Sequence, residues 1–176
     1  MKKNIFYFIT LLILTSLFLL AGCSDSAEDY YNSGIDKYEL QDYHGAIADY
    51  TKAIEINPKY ADAYYNRGLA KRNLQDYHGV IADYTKAIEI NPNYTDAYNN
   101  RGIAKLCLEN YHGTIEDYNK AIKLDPNNIK GYFQRGIARL MIEDYDGALV
   151  DYAKLIELDP TSELRAEFEE LLNDIE

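Results

Sequence analysis

The sequence predicts an all-α protein in which four helix-turn-helix units stack on one another and one further helix closes the stack. Three observations predict it. The block Leu40–Pro58 (LQDYHGAIADYTKAIEINP) returns as Leu74–Pro92 (LQDYHGVIADYTKAIEINP), and the two differ only at Ala46 against Val80. Diverged copies follow at Asn110–Pro126 and Asp144–Pro160, each displaced by 34 residues. A sustained period of this size marks a supersecondary brick that buries its apolar face against copies of itself. Within each period apolar residues twice follow helical spacing, and a proline closes the copy. The units run 27–60, 61–94, 95–128 and 129–162.

The chain opens differently. Lys2 and Lys3 precede Ile5–Ala21, a run of 17 residues without a charge. As a helix it spans about 25 Å, which suits a secretory h-region at least as well as a membrane span. It ends in Leu20-Ala21-Gly22-Cys23. Small residues before a cysteine at this place resemble the lipobox of bacterial lipoproteins. That resemblance implies a signal peptide over 1–22, cleavage before Cys23, and diacylglycerol on the Cys23 sulfur. It also implies an exported protein held to the bacterial cell membrane by its acyl chains. Two or three chains anchor stably where one holds only marginally. Ser24, not Asp, follows the cysteine, which by the same resemblance favours the outer membrane in a host that has one. The alternative is an uncleaved anchor helix with an incidental cysteine. By the same resemblance, residues 23–26 are expected to form the lipidated N-terminus and a short linker. Three residues reach about 10 Å, so the first unit is expected against the lipid headgroups. Ser26, with Asp29 three residues on, reads as the cap of the first helix.

Each unit reads the same way. In the second, Ala61, Tyr64, Tyr65, Gly68 and Leu69 make one helical stripe, and Tyr77, Val80, Ile81, Tyr84, Ala87 and Ile88 make another. Asp76 lies between them as a cap for the second helix, and Pro92 ends the unit. Across units the early aromatic is Tyr30, Tyr64, Tyr98 and Tyr132, and the small residue is Gly34, Gly68, Gly102 and Gly136. On the second helix the small position is Ala46, Val80, Thr114 and Ala148, followed by Tyr50, Tyr84, Tyr118 and Tyr152. Then come Ala53, Ala87, Ala121 and Leu155, and the closing Pro58, Pro92, Pro126 and Pro160. This constellation over 27–162 resembles the tetratricopeptide repeat (TPR). The resemblance implies an α-α superhelix whose first helices line a concave surface that takes a protein or peptide partner.

One feature departs from that family. Arg67, Arg101 and Arg135, with Ser33 in the first unit, and Lys37, Lys71, Lys105 and Arg139 stand where Leu and Tyr are usual. Asp49, Asp83, Asp117 and Asp151 lie on the second helices. Arg–Asp pairing across helices would give a charged ladder that fixes register; solvated surface charge is the other reading.

Positions expected to face the groove differ between units while the second helices stay nearly identical. One row is Tyr31, Tyr65, Asn99, Phe133, and a second is Tyr38, Arg72, Leu106, Leu140. A third is Glu39, Asn73, Cys107, Met141, and a fourth, Ile35, Leu69, Ile103, Ile137, stays apolar. Variation confined to one face suits a non-repeating ligand, and Tyr, Phe and Arg are good interface anchors. Drift with packing constraints is the alternative. Some family members grip a terminal carboxylate with Lys, Asn and Arg on these helices. Here the corresponding early positions are Tyr31 and Ile35, so that clamp is not expected, and an extended or helical peptide is.

The tail, 163–176, leaves the period. Leu164, Phe168, Leu171, Leu172 and Ile175 share one helical face opposite a glutamate-rich side, which suits a capping helix on an open apolar end. Composition narrows the function. With 18 basic against 29 acidic residues the net charge is -11, which disfavours nucleic-acid binding and electrostatic docking to anionic lipid. His44, His78 and His112 are one repeat position seen three times, too far apart to share a metal. Cys107, left without a partner once Cys23 is lipidated, reads as a small apolar filler. Asn93-Tyr94-Thr95 matches a glycosylation sequon by chance. No nucleophile, metal or phosphate-loop motif is present, so neither enzyme activity nor a cofactor is expected. The expected function is a membrane-anchored protein-interaction scaffold of the bacterial cell envelope. The alternative is a surface or periplasmic lipoprotein that captures a peptide or glycan.

Overall fold

A computed structural model describes residues 25–173, and every regular element among them is an α-helix. The expected signal peptide, Cys23 and residues 174–176, Ile175 among them, lie outside the described residues. In chain order the helices are α1 (Ala27–Glu39), α2 (Tyr43–Ile56), α3 (Ala61–Asn73), α4 (Tyr77–Ile90), α5 (Thr95–Cys107), α6 (Tyr111–Leu124), α7 (Ile129–Leu140), α8 (Tyr145–Leu158) and α9 (Glu163–Asn173). None of the described helices is long and apolar enough to cross a membrane. Each helix packs on the next, so a pair forms a unit and units stack in sequence order.

The local chemistry is repeated as faithfully as the sequence. Ser26 and Asp29 form a reciprocal capping box at the start of α1. At the end of α1 the Asp42 N–H donates to Lys37 O at 2.9 Å and the Gln41 N–H to Tyr38 O at 2.9 Å. This is a Schellman closure, which requires a left-handed residue just past the helix. Gln41 supplies it at φ 62°, and Gln75, Glu109 and Glu143 repeat it at 59°, 57° and 61°. The next residue then turns its side chain to the following helix. Asp42, Asp76, Asn110 and Asp144 each accept the N–H of the glycine three residues on, at 2.9–3.0 Å. One short turn therefore stops one helix and starts the next.

Within a unit the helices approach closely because Gly34, Gly68 and Gly102 lie under the rings of Tyr50, Tyr84 and Tyr118. A Cβ on these glycines would meet ring carbons at 2.6, 2.7 and 2.8 Å. Thr114, polar at a small apolar position, is fully buried, with its hydroxyl 3.2 Å from Gly102 O and 3.0 Å from Asn110 O. In the last unit the ring over Gly136 comes from the tail. Phe168 of α9 is fully buried there, 5.9 Å from the Phe133 ring and 5.6 Å from that of Tyr152. Leu164, Leu171 and Leu172 pack around it, so α9 is a cap as expected.

The charged ladder exists. All four second-helix aspartates are buried. Arg67 Nε and Nη2 donate to Asp83 at 3.0 and 2.6 Å, Arg101 to Asp117 at 2.9 and 2.6 Å, and Arg135 to Asp151 at 3.1 and 2.5 Å. A second cation joins each: Lys71 at 2.8 Å, Lys105 at 2.9 Å, Arg139 at 2.8 Å. In the first unit Ser33 Oγ and Lys37 Nζ bind Asp49 at 2.6 and 2.5 Å. Burial there raises the Asp49 carboxyl, but the Lys37 and Ser33 hydrogen bonds outweigh it and hold the group below the ordinary carboxylate value. The remaining guanidinium nitrogen does something the sequence did not suggest. Arg67 Nη1 reaches back to Thr51 at 3.0 Å, Arg101 Nη1 to Thr85 at 2.9 Å, and Arg135 Nη1 to Asn119 at 2.7 Å. Each arginine thus ties the second helix of its own unit to that of the unit before.

Candidate functional site: the groove of the first helices

The first helices of successive units stand side by side and wall a groove with two concavities. The smaller, about 250 Å³, lies between Ile35, Tyr38 and Glu39 of α1, Tyr50 of α2, and Asn66 and Leu69 of α3. The larger, about 510 Å³, is built from Arg72 of α3, Asp96, Asn99, Asn100 and Ile103 of α5, Tyr118 of α6, Asn128 just before α7, Lys130, Phe133 and Gln134 of α7, and Leu164 of the cap.

Its polar side chains are held in place by one another. Asn100 Oδ1 accepts from Arg72 Nη1 at 3.0 Å, and its Nδ2 donates to the Tyr65 hydroxyl at 2.9 Å. Asn128 Nδ2 donates to Asn99 Oδ1 at 2.9 Å. One unit earlier, Asn66 Nδ2 donates to the Tyr31 hydroxyl at 2.8 Å and Asn73 Nδ2 to that of Tyr38 at 3.0 Å. Aromatic contacts set the tyrosine rings. Tyr31 lies 4.7 Å from Tyr60, and Tyr65 stacks on Tyr94 at 4.9 Å and 23°. Tyr94 in turn donates to Asp62 Oδ1 at 2.9 Å. Burial first, then the Asp62 hydrogen bond, pushes the Tyr94 hydroxyl far above its usual value; burial is also the main cause at Tyr31 and Tyr65. These hydroxyls are therefore neutral donors and acceptors at any physiological pH. Rigid helices carrying fixed amides beside apolar walls bind backbone and side-chain amides at low entropic cost.

The sequence-predicted rows divide here. Ile35, Tyr38 and Leu69 line the small concavity, and Arg72, Asn99, Ile103 and Phe133 the large one. Tyr31 and Tyr65 brace the wall between them through Asn66 and Asn100. Leu106 is half-buried and belongs to neither concavity. The last unit corrects the expectation. Phe133 and Leu140 are buried, and Ile137 packs beside them, because Phe168 of the cap fills the space against α7. Phe133 and Leu140 are core residues, and Phe133 lines the larger concavity while almost wholly buried. Cys107 is also corrected: it is exposed at the end of α5 and fills no core space. Sequence reasoning missed Asn66, Asn100 and Gln134, although they recur at the unit period, because amides on a helix read as solvated. It also missed Asn128 and Leu164. Among the described residues no group of three or more His, Cys, Asp or Glu is placed to hold a metal ion.

Two repeat features decide the lineage: the glycine under a tyrosine ring in the first three units, and helix pairs walling a groove. Sequence models of the tetratricopeptide repeat match residues 61–94 and 95–128, and two further models of the same repeat match 36–75 and 117–150. The chain belongs to the tetratricopeptide repeat family. No curated protein sequence matches it. Among solved structures it is similar to MamA, with a TM-score of 0.75 at 25% identity over 82% of this chain and 84% of that one. It is similar to the first TPR of Spaghetti (RPAP3) bound to the HSP90 peptide SRMEEVD, with a TM-score of 0.65 at 26% identity over 68% and 95% of the two chains. The TPR domain of Arabidopsis OM64 gives 0.62 at 27% identity over 66% and 96%. The tetratricopeptide fold is a protein–protein interaction scaffold, and this chain has that fold.

Proposed function

We propose that this protein is a membrane-tethered scaffold of the bacterial cell envelope that holds a peptide segment of a partner protein in the groove of its first helices. The observation that carries the reading is the larger concavity. Asn100 is held by Arg72 and Tyr65 of the unit before and Asn99 by Asn128, so the stack helps to orient the binding surface. Arg72, Lys130 and Asp96 all line it, which suits a segment of mixed polarity. Tyr31 and Ile35 occupy the positions from which related domains grip a terminal carboxylate, which favours an internal segment as the ligand. The RPAP3 domain, bound to a peptide, supports a peptide as the ligand class. The tether rests on the lipobox-like Leu20–Cys23 alone, and Ser24 favours the outer membrane as its destination in a host that has one.

Two measurements test the two halves separately. Labelled palmitate incorporated into the wild type and lost in Cys23→Ser supports the tether; absence of label in both refutes it. Photo-crosslinking from position 99 or 134 in native cells should yield one recurrent partner protein, and loss of that adduct in Asn100→Ala would tie it to the groove. A second reading, capture of a free peptide or glycan, draws on the 510 Å³ volume, which lies within the small-ligand range. A bound low-mass ligand found by native mass spectrometry, with no protein adduct, would favour it.

A further inference from the structure

We propose a second docking surface at the C-terminal end of the stack, fitted to a cationic amphipathic helix of a partner protein that carries small residues seven positions apart. On α8, Tyr145 is 43% exposed, Leu149 51% and Val150 65%, and Met141, just past α7, is 52% exposed. Tyr145 and Leu149 stand at the positions that each earlier unit covers with the first helix of the next, and Met141 and Val150 extend the patch at positions that are exposed in every unit. Tyr43 and Ile47 of α2 cluster with Ala70 of α3, and Tyr77 and Ile81 of α4 cluster with Ala97 and Ala104 of α5. The interface already repeated inside the chain therefore continues, unfilled, at its end.

Those internal copies say what fits. The covering helices carry Ala63 and Ala70, Ala97 and Ala104, or Gly131 and Ala138, all buried, at a spacing of seven. Small side chains there let the helix axes approach. The cap cannot take that seat. Continuing the period places Arg165 and Leu172 of α9 at the two small positions. The cap packs instead through Phe168 against Gly136, and Tyr145 and Leu149 stay bare. The last unit has also lost the polar group that would meet a neighbour's arginine: Ala153 stands where Thr51, Thr85 and Asn119 each receive one.

Charge selects the class of occupant. Residues 141–176 carry twelve carboxylates and two cations. Helix α3, which covers the equivalent face of the first unit, carries Arg67, Lys71 and Arg72 against Asp62. A second copy of this chain suits the patch poorly. End to end it would oppose two acidic rims. Head to tail it would offer α1, whose two seven-spaced positions are Asp29 and Asp36.

The test uses the full chain in lipid nanodiscs and a fluorescent peptide of residues 61–73, held helical by a hydrocarbon staple and carrying a benzophenone. Saturable binding is expected, with photo-adducts on residues 141–150. Leu149→Asp, an exposed change checked for unaltered circular dichroism, should weaken binding at least tenfold, and so should Ala70→Leu in the peptide. No binding, adducts confined to the groove, or indifference to either change overturns the proposal. So does self-association of the wild type that Leu149→Asp abolishes, which would make the occupant a second copy.

Discussion

Replacing Arg101 with serine converts the third unit to the arrangement already present in the first, where Ser33 and Lys37 hold the buried Asp49 without an arginine. Asp117 keeps Lys105 at 2.9 Å and gains a hydroxyl in place of the guanidinium fork. What disappears is the Nη1 bond to Thr85 and the stacking of the guanidinium 5.6 Å from the Tyr98 ring centre. A hydrogen bond with a charged donor contributes about 1.5–3 kcal/mol. A part-exposed cation–π contact adds about 0.5–1 kcal/mol. Exchanging the two-pronged grip on Asp117 for one hydroxyl costs about 1 kcal/mol more. The expected loss is therefore about 3–5 kcal/mol. Because half of it lies at the joint between units, Arg101→Ser should also reduce the cooperativity of unfolding. Urea unfolding followed by circular dichroism reads both effects. With a slope of about 2 kcal/mol per M, the midpoint should fall by about 1.5–2.5 M. A double-mutant cycle with Thr85→Ala isolates the joint and should give a coupling of at least about 1 kcal/mol. A coupling near zero, or a total loss below about 0.5 kcal/mol, would refute the argument that these arginines clamp successive units.

Three more outcomes follow from the packing. Gln75→Gly should stabilise the protein by about 0.5–1 kcal/mol, because relief of a left-handed non-glycine residue exceeds the added entropy of the unfolded chain; thermal unfolding should show a raised midpoint, and a lowered one would contradict the strain at φ 59°. Phe168→Ala should cost about 3–5 kcal/mol and loosen α7 and α8 first, visible as faster amide exchange there than in α3 and α4. Burial raises the hydroxyls of Tyr50, Tyr84 and Tyr118 above their usual value. A raised folded pKa means that the unfolded chain releases these protons first, so the stability they support is whole below pH about 10 and falls above it. Each tyrosine contributes about 1.4 kcal/mol per pH unit, and denaturant midpoints measured between pH 9 and 11 should decline steeply, less so in Tyr84→Phe.

The fold was legible because the chain repeats its own solution. Four registers of Gly34, Tyr50, Ala53 and Pro58 equivalents leave little choice of helix length or packing partner. Even the Arg–Asp ladder could be read, since both residues recur at the same offset. The left-handed turn at Gln41 could not, because glutamine is an ordinary helix former and signals no reversal. The reach of Arg67 to Thr51 was hidden for another reason: it depends on how two units sit, which no pattern within one unit contains. The rows placed Ile35, Tyr38, Leu69, Arg72, Asn99, Ile103 and Phe133 at the concavities, but not Leu106 or Leu140. Phe133 and Leu140 obey the row pattern, but the cap inserts Phe168 beside them and turns surface into core. The amides Asn66, Asn100 and Gln134 carried a signal in their spacing, and helical polarity disguised it.

The backward grip of Arg67 and Arg101 makes the first two joints interchangeable. Thr51 receives Arg67 as Thr85 receives Arg101, and either threonine would accept either arginine. A duplicate of residues 61–94 spliced in after residue 94 would thus find a ready socket on one side and offer one on the other. The cleft would lengthen by one helix pair, about 10 Å wide, with both ends untouched. Growth by insertion lets such a chain enlarge what it holds without redesigning how it holds itself together.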